Sequence, residues 1–129
     1  MKIEGMNPTD IIDRYCQAWS DVDPNTRAGL LASVWSTTAT YSDPTVLDLD
    51  ADALLAHIGR IQASRPGAKV LRSTPLDAHH AFARFGFKVV GTDGNILREG
   101  IDVVLFSPDG TRIERIIGFF GSLSAQNDA

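Results

Sequence analysis

The second half of the chain alternates apolar and polar residues over long stretches. The alternation runs through residues 79–90, 96–106 and 111–120. Because side chains point alternately to the two faces of a strand, this spacing predicts strands with one buried face. Turn signals separate the stretches, Asp-Gly at 93–94 and Pro-Asp-Gly at 108–110. With a short strand predicted just before them, these stretches form an antiparallel meander.

The first half of the chain predicts helices instead. Asn7-Pro8 and Asp23-Pro24 are helix-start signals, because Asn or Asp caps free amide groups and proline suits the first helical turn. A third helix is expected from about Asp50, and Pro66-Gly67 stops it. Apolar residues recur at helical spacing within each of these segments, and the stripe of the second helix is Leu30, Leu31, Val34 and Trp35. The chain therefore places its helices before most of its strands.

Helices followed by an antiparallel sheet are typical of an α+β domain. We predict one domain over residues 8–121, with 1–7 and 122–129 as flexible tails. Three N-terminal helices would pack on one curved antiparallel sheet. A long sheet wrapped around a few helices would form a cone with an apolar mouth. A short strand over residues 38–42 is expected between the second and third helices.

Composition narrows the function classes. A single cysteine, Cys16, excludes an internal disulfide and a cysteine-based zinc site, and no histidine spacing suggests a metal. The net charge is −4, and the helical half, residues 1–58, is the acidic part, which argues against nucleic acid as a partner. No apolar run is long enough to span a membrane, and the N-terminus lacks a signal-peptide pattern, so a cytoplasmic location is expected. A small basic group is predicted to be solvated surface: Arg60, Arg65, Lys69 and Arg72.

Asp102 is the strongest candidate for chemistry. It lies in the middle of a predicted strand, where aspartate is uncommon, on the same face as Gly100, Val104 and Phe106. Such an apolar wall favours the neutral form of a carboxyl group. The alternative is a structural ion pair with an arginine on the neighbouring strand, such as Arg84.

Two further candidates come from the helical half. Asp43 precedes Pro44 at a strand end, where it is either a simple turn residue or a carboxylate at the cavity mouth that accepts a proton. Tyr15 lies on the apolar stripe of the first helix, where it either packs or donates a hydrogen bond into the cavity. His57, on the third helix, is expected to be structural.

The chain holds many aromatic and large apolar residues for one core. Most of these side chains must belong to the core, and a few of them could line a pocket for a flat apolar ligand. The candidates for substrate contact are Trp19, Trp35, Phe85, Phe87, Val104, Phe106 and Phe119. Arg84 and His80 are possible modulators of the site, Arg84 because a cation beside Asp102 would favour its ionised form.

Three segments resemble ketosteroid isomerase. Asp13-Arg14-Tyr15 is similar to the segment with its catalytic tyrosine, residues 39–44 (Ala-Thr-Tyr-Ser-Asp-Pro) to the strand that ends in its base, and Ile101-Asp102 to the pair with its protonated aspartate. The order of elements resembles the NTF2-like, or SnoaL-like, superfamily over about residues 8–121. SnoaL-type polyketide cyclases are similar in having an acidic residue near position 102.

The resemblance implies a cofactor-free enzyme that removes a proton next to a carbonyl of a small apolar substrate, as an isomerase or a cyclase. Asp43 would be the base, and Tyr15 and protonated Asp102 would hydrogen-bond the enolate oxygen. The alternative is a non-catalytic domain of the same fold that binds a small ligand or only dimerises. A homodimer is expected through the strand face that carries His80, Phe82, Arg84 and Lys88.

Overall fold

The computed structural model describes residues 6–123. Three helices pack on one seven-stranded sheet, so the α+β fold is confirmed. The predicted tails, 1–7 and 122–129, lie for the most part outside the described residues. The helices are α1 (Pro8–Ser20), α2 (Pro24–Val34) and α3 (Ala51–Ser64). The strands are β1 (Trp35–Asp43), β2 (Val46–Leu49), β3 (Lys69–Arg72), β4 (Asp77–His79), β5 (Phe82–Val90), β6 (Ile96–Phe106) and β7 (Ile113–Phe120).

Each helix begins at the capping residue that the sequence indicates. The side chains of Asn7, Asp23 and Asp50 accept hydrogen bonds from backbone amides three residues further on. A cap of this kind satisfies one of the amide groups that the first helical turn leaves free, typically worth about 1 kcal/mol. All three predicted helix starts are therefore confirmed.

The sheet is mixed rather than wholly antiparallel, which corrects one detail of the predicted fold. The order is β2-β1-β7-β6-β5-β3, with β4 paired to β5. β1 runs parallel to β7, whereas the other pairs are antiparallel. The first strand and the last are far apart in the sequence, with α3 and five strands between them, yet they lie side by side in the sheet. This neighbourhood brings the end of β1 close to the middle of β6.

Local differences from the prediction lie at element ends. The predicted strand over 79–90 is interrupted, because His80 adopts a left-handed conformation with φ of 54° and the chain turns there. Trp35, predicted on the stripe of the second helix, begins β1. β2, which pairs with β1, has no counterpart in the prediction.

The core lies between the helices and the inner face of the sheet. The inner face of β5 and β6 carries the side chains predicted from the alternation, including buried Phe85, Phe87 and Val104. Ile11 and Ile12 of α1 are fully buried against the same cluster. Helices cover only part of this face, and the uncovered part forms a cavity. No helix among residues 6–123 is long and apolar enough to cross a membrane.

Candidate functional site

A cavity of about 400 Å³ opens between α1, α3 and the inner face of the sheet. Its inner part is lined by buried side chains of α1 and the central strands, and its outer part by exposed side chains of α3 and β6. The three residues proposed for chemistry, Tyr15, Asp43 and Asp102, all line it. Their roles remain predictions, but the chain folds so that one small molecule could touch all three.

Asp102 lies on the inner face of β6, opposite Phe85 on β5 and Gly118 on β7. The residue is 5% exposed. Burial, and then the negative charge of Asp43, raise the pKa of the Asp102 carboxyl to about 8. Among the described residues, none of the hydrogen bonds or ion pairs involves this carboxyl group. Asp102 is therefore a neutral acid at pH 7, with a proton that it can donate into the cavity.

Gly118 separates the two candidate carboxyl groups, and no pattern in the sequence predicted this role. It lies on β7 between β1 and β6. A Cβ atom at this position would lie 2.8 Å from Asp102 Oδ1 and 3.5 Å from Asp43 Cβ. Only a residue without a side chain leaves room for both aspartates on this part of the inner face. Gly118 could have been found only from the register of β7 against β1 and β6, and no local sequence pattern predicts that register.

Asp43 ends β1, and its side chain is only 4% exposed. Tyr41 donates its hydroxyl to Oδ2 at 2.7 Å, and Thr45 donates both its amide and its hydroxyl to Oδ1 at 2.7 and 2.6 Å. Burial alone would raise the pKa of Asp43, but the hydrogen bonds from Thr45 and Tyr41 outweigh it and hold the pKa below its usual value. Asp43 is thus an ionised carboxylate in a wall that also holds a neutral acid.

His57 also faces this carboxylate, although the sequence predicted only a structural role. Its Nε2 atom lies 3.9 Å from Asp43 Oδ2, is buried and has no hydrogen-bond partner within the described part of the chain. Burial lowers the pKa of His57, and the charge of Asp43 only partly opposes this. The imidazole is therefore neutral at pH 7. Its Nε2 can donate or accept a hydrogen bond with a molecule in the cavity, depending on the tautomer.

Tyr15 and Trp19 supply the aromatic wall on α1. The two rings meet edge to face, with centroids 6.4 Å apart, and Tyr15 stacks on Trp35 at 6.0 Å. Burial, and then the charge of Asp102, raise the pKa of the Tyr15 hydroxyl well above its usual value. The phenol therefore keeps its proton and can act as a hydrogen-bond donor.

The predicted substrate contacts divide into two groups. Trp19 and Phe87 line the cavity, as expected. Trp35, Phe85, Val104 and Phe106 do not; they are at most 6% exposed and belong to the packed core. Periodicity identified the buried face correctly but could not show which part of that face the helices leave uncovered.

The remaining predicted contacts lie outside the cavity. Phe119 is 56% exposed on the outer face of the sheet, because its neighbours Gly118 and Phe120 occupy the inner face of β7. Arg84 is on the outer face of β5 and forms an exposed ion pair with Asp77 at 2.8 Å. Phe119 therefore does not line the cavity, and the ion-pair partner of Arg84 is Asp77 rather than Asp102.

His80 likewise lies away from the site. It occupies the exposed turn between β4 and β5, where its Nδ1 is 3.0 Å from that of His79. His80, predicted as a possible modulator, therefore does not line the cavity. Within residues 6–123, no three His, Cys, Asp or Glu side chains are grouped so that they could hold a metal ion.

Neither a protein-family model nor a curated protein sequence matches the chain. Solved structures do match it. A proposed isomerase of the SnoaL-like family from Agrobacterium tumefaciens is 28% identical, with a TM-score of 0.79 over 87% of this chain and 95% of that one. An NTF2-like protein of unknown function from Exiguobacterium is 15% identical, with a TM-score of 0.69 over 88% and 99% of the two chains.

The chain has the NTF2-like, or cystatin-like, fold. The predicted resemblance to the NTF2-like and SnoaL-like superfamily is thereby confirmed. A proposed polyketide cyclase from Sinorhizobium meliloti has the same NTF2-like architecture, at 19% identity and a TM-score of 0.62 over 84% of this chain and 93% of that one. Structures with this fold thus include one proposed isomerase and one proposed cyclase.

Proposed function

We propose that this protein is a cofactor-free enzyme that removes a proton from the carbon next to a carbonyl group of a small, mainly apolar substrate. One observation carries the proposal: an ionised carboxylate, Asp43, and a neutral carboxylic acid, Asp102, line the same cavity on either side of Gly118. A base and an acid whose environments push their pKa values apart are what enolisation requires. The proposed isomerase and cyclase among the similar structures support the same chemistry.

Asp43 is the proposed base. Hydrogen bonds from Tyr41 and Thr45 fix its orientation and keep it ionised, so it is ready to accept a proton without prior deprotonation. The same bonds make it a weak base. A weak base suffices only if the enolate that it forms is strongly stabilised, which places the main catalytic demand on the opposite side of the cavity.

Asp102 and Tyr15 are the proposed donors to the enolate oxygen. Both keep their protons at neutral pH, because burial raises their pKa values, and both line the cavity. Fixed donors of this kind stabilise charge that appears only in the transition state, at about 3–4 kcal/mol for a single donor. The chemistry needs no metal or organic cofactor.

The test is a series of variants assayed for isomerisation of a model β,γ-unsaturated ketone. Asp43→Asn should abolish turnover, because an amide cannot accept the proton. Asp102→Asn should be milder, because an amide N–H still donates, and Asp102→Leu should be worse than Asp102→Asn. Tyr15→Phe should slow the reaction by about 10²–10³, as loss of an oxyanion donor does.

A matched control for the base is Asp52→Asn, which changes an exposed carboxylate on α3 that does not line the cavity. It should retain wild-type turnover. Undiminished turnover in Asp43→Asn would exclude Asp43 as the base, whatever the other variants do. A ketone that raises the melting temperature of the wild type without reacting would support the alternative, a ligand-binding domain of the same fold.

We also propose that the protein forms a homodimer through the outer face of the sheet. Phe82, Val103 and Phe119 are exposed on this face, and exposed apolar patches of this kind mark interaction sites. A monomer mass by light scattering at micromolar and higher concentration would contradict this assignment.

A further inference from the structure

Three arginines stand at the open end of the cavity. Arg60 comes from α3, Arg65 directly follows that helix, and Arg98 comes from β6; all three line the cavity while remaining exposed. The sequence predicted that Arg60 and Arg65 are ordinary solvated surface. The fold instead places all three in the exposed part of the lining of one cavity, and we call them the arginine rim.

The rim arginines have no carboxylate partners within residues 6–123. The arginines that form ion pairs are Arg72, Arg84 and Arg115, and Arg27 and Arg112 donate to backbone carbonyls. Arg98 instead lies with its Cζ atom 4.0 Å from the centre of the Phe120 ring, which also lines the cavity. This cation–π contact holds the guanidinium at the opening and leaves its N–H donors free for a ligand.

The charge of the cavity lining is opposite to that of the whole chain. The chain has a net charge of −4, whereas the lining carries three arginines against one ionised carboxylate, Asp43. That carboxylate is already bonded to Tyr41 and Thr45. The field of the rim extends inward, since the charge of Arg60 contributes to the lowered pKa of His57. An anion at the opening would therefore be attracted.

We propose that the ligand of this cavity is an amphiphilic organic acid, with an apolar body inside and an anionic group held by the arginine rim. This ligand assignment deepens the proposed function. It rests on that function in one respect, namely that the carbonyl group lies at the inner end of the apolar part of the ligand. The rim would then fix the orientation of the substrate. With its anion at Arg60, Arg65 and Arg98, the opposite end of the molecule points toward Asp43 and Asp102.

Two fluorescent probes that differ only in a sulfonate test this assignment. Anilinonaphthalene sulfonate carries the anion, and N-phenylnaphthylamine is the same aromatic body without it. We expect the wild type to bind the sulfonate about tenfold more tightly than the neutral probe, since each exposed ion pair contributes little and three act together. Raising the salt concentration from about 0.05 M to about 0.5 M should weaken only the sulfonate.

The decisive variant replaces the whole rim, Arg60→Gln, Arg65→Gln and Arg98→Gln together. It should lose the preference for the sulfonate while its affinity for the neutral probe stays within about twofold. The matched control replaces three exposed arginines that do not line the cavity, and so changes the net charge equally: Arg14→Gln, Arg84→Gln and Arg115→Gln. It should keep the preference.

Several results would overturn the inference. The first is a wild type that binds the sulfonate no better than the neutral probe, or not at all. The second is a rim variant that keeps the preference or loses affinity for both probes equally. The third is a control variant that loses the preference as completely as the rim variant does. Binding needs no proton transfer. If the preference for the sulfonate depends on the rim but Asp43→Asn keeps full turnover, only the proposed function is refuted. If the preference does not depend on the rim but Asp43→Asn abolishes turnover, only the role of the arginine rim is refuted.

Discussion

The protonation state of Asp102 makes folding stability depend on pH in a way that can be calculated. Its pKa is about 8 in the folded protein, against about 4 for an ordinary aspartate in an unfolded chain. Between these values the folded chain keeps the proton and the unfolded chain releases it. The free energy of unfolding therefore falls as the pH rises, by about 1.4 kcal/mol per pH unit, and levels off above the folded-state pKa.

Asp102→Asn removes this dependence, because an amide does not titrate. Relative to the wild type, the variant should gain about 3–4 kcal/mol of stability between pH 5 and pH 8. Urea unfolding of both proteins at the two pH values measures this gain, and taking the difference cancels the contributions of shared titrating groups. Glu99→Gln, an exposed carboxyl on the outer face of the same strand, is the matched control. A stability difference that stays constant within about 1 kcal/mol would mean that Asp102 is ionised in the folded protein, and its role as a neutral donor would fail.

Three further predictions concern the surroundings of the site and the outer face. Gly118→Ala should cost about 1–3 kcal/mol in thermal unfolding, because the added Cβ lies 2.8 Å from a carboxyl oxygen; Gly29→Ala, in α2 with nothing within 4 Å, should be neutral or stabilising. Thr45→Val removes a hydroxyl donor from Asp43, so the pKa of Asp43 should rise and the acid limb of the pH–rate profile should move to higher pH; an unmoved limb would assign that limb to another group. Phe119→Glu should convert the proposed dimer to a monomer in light scattering, and an unchanged mass would place any interface elsewhere.

The sequence predicted those features that depend on local chemistry. Asn7, Asp23 and Asp50 cap their helices because a capping side chain acts on amides three residues away. The inward position of Asp102 followed from strand alternation, which needs only the positions of its neighbours on the same strand. Both kinds of signal lie within about ten residues of the chain, so tertiary structure could not override them easily.

The features that the sequence did not predict depend on register and on what covers each face. Gly118 matters only because β7 lies between β1 and β6, and the parallel pairing of β1 with β7 is a contact between distant parts of the chain. Phe85 and Phe87 lie two residues apart and so on the same face of β5, yet only Phe87 lines the cavity. His57 was expected to be structural because no local pattern links it to Asp43.

Removal of a proton by Asp43 is the central step of the proposed reaction, and exchange in heavy water tests that step alone. A ketone that binds the wild type is incubated with the protein in D₂O, and deuterium at the carbon next to the carbonyl is followed by NMR. Exchange needs only proton removal and return, so the measurement detects the base whether the full reaction is isomerisation or cyclisation. We predict incorporation with the wild type and with Asp52→Asn, and none above the uncatalysed rate with Asp43→Asn. Equal incorporation by Asp43→Asn, or none by the wild type with a ketone that it demonstrably binds, would contradict the account.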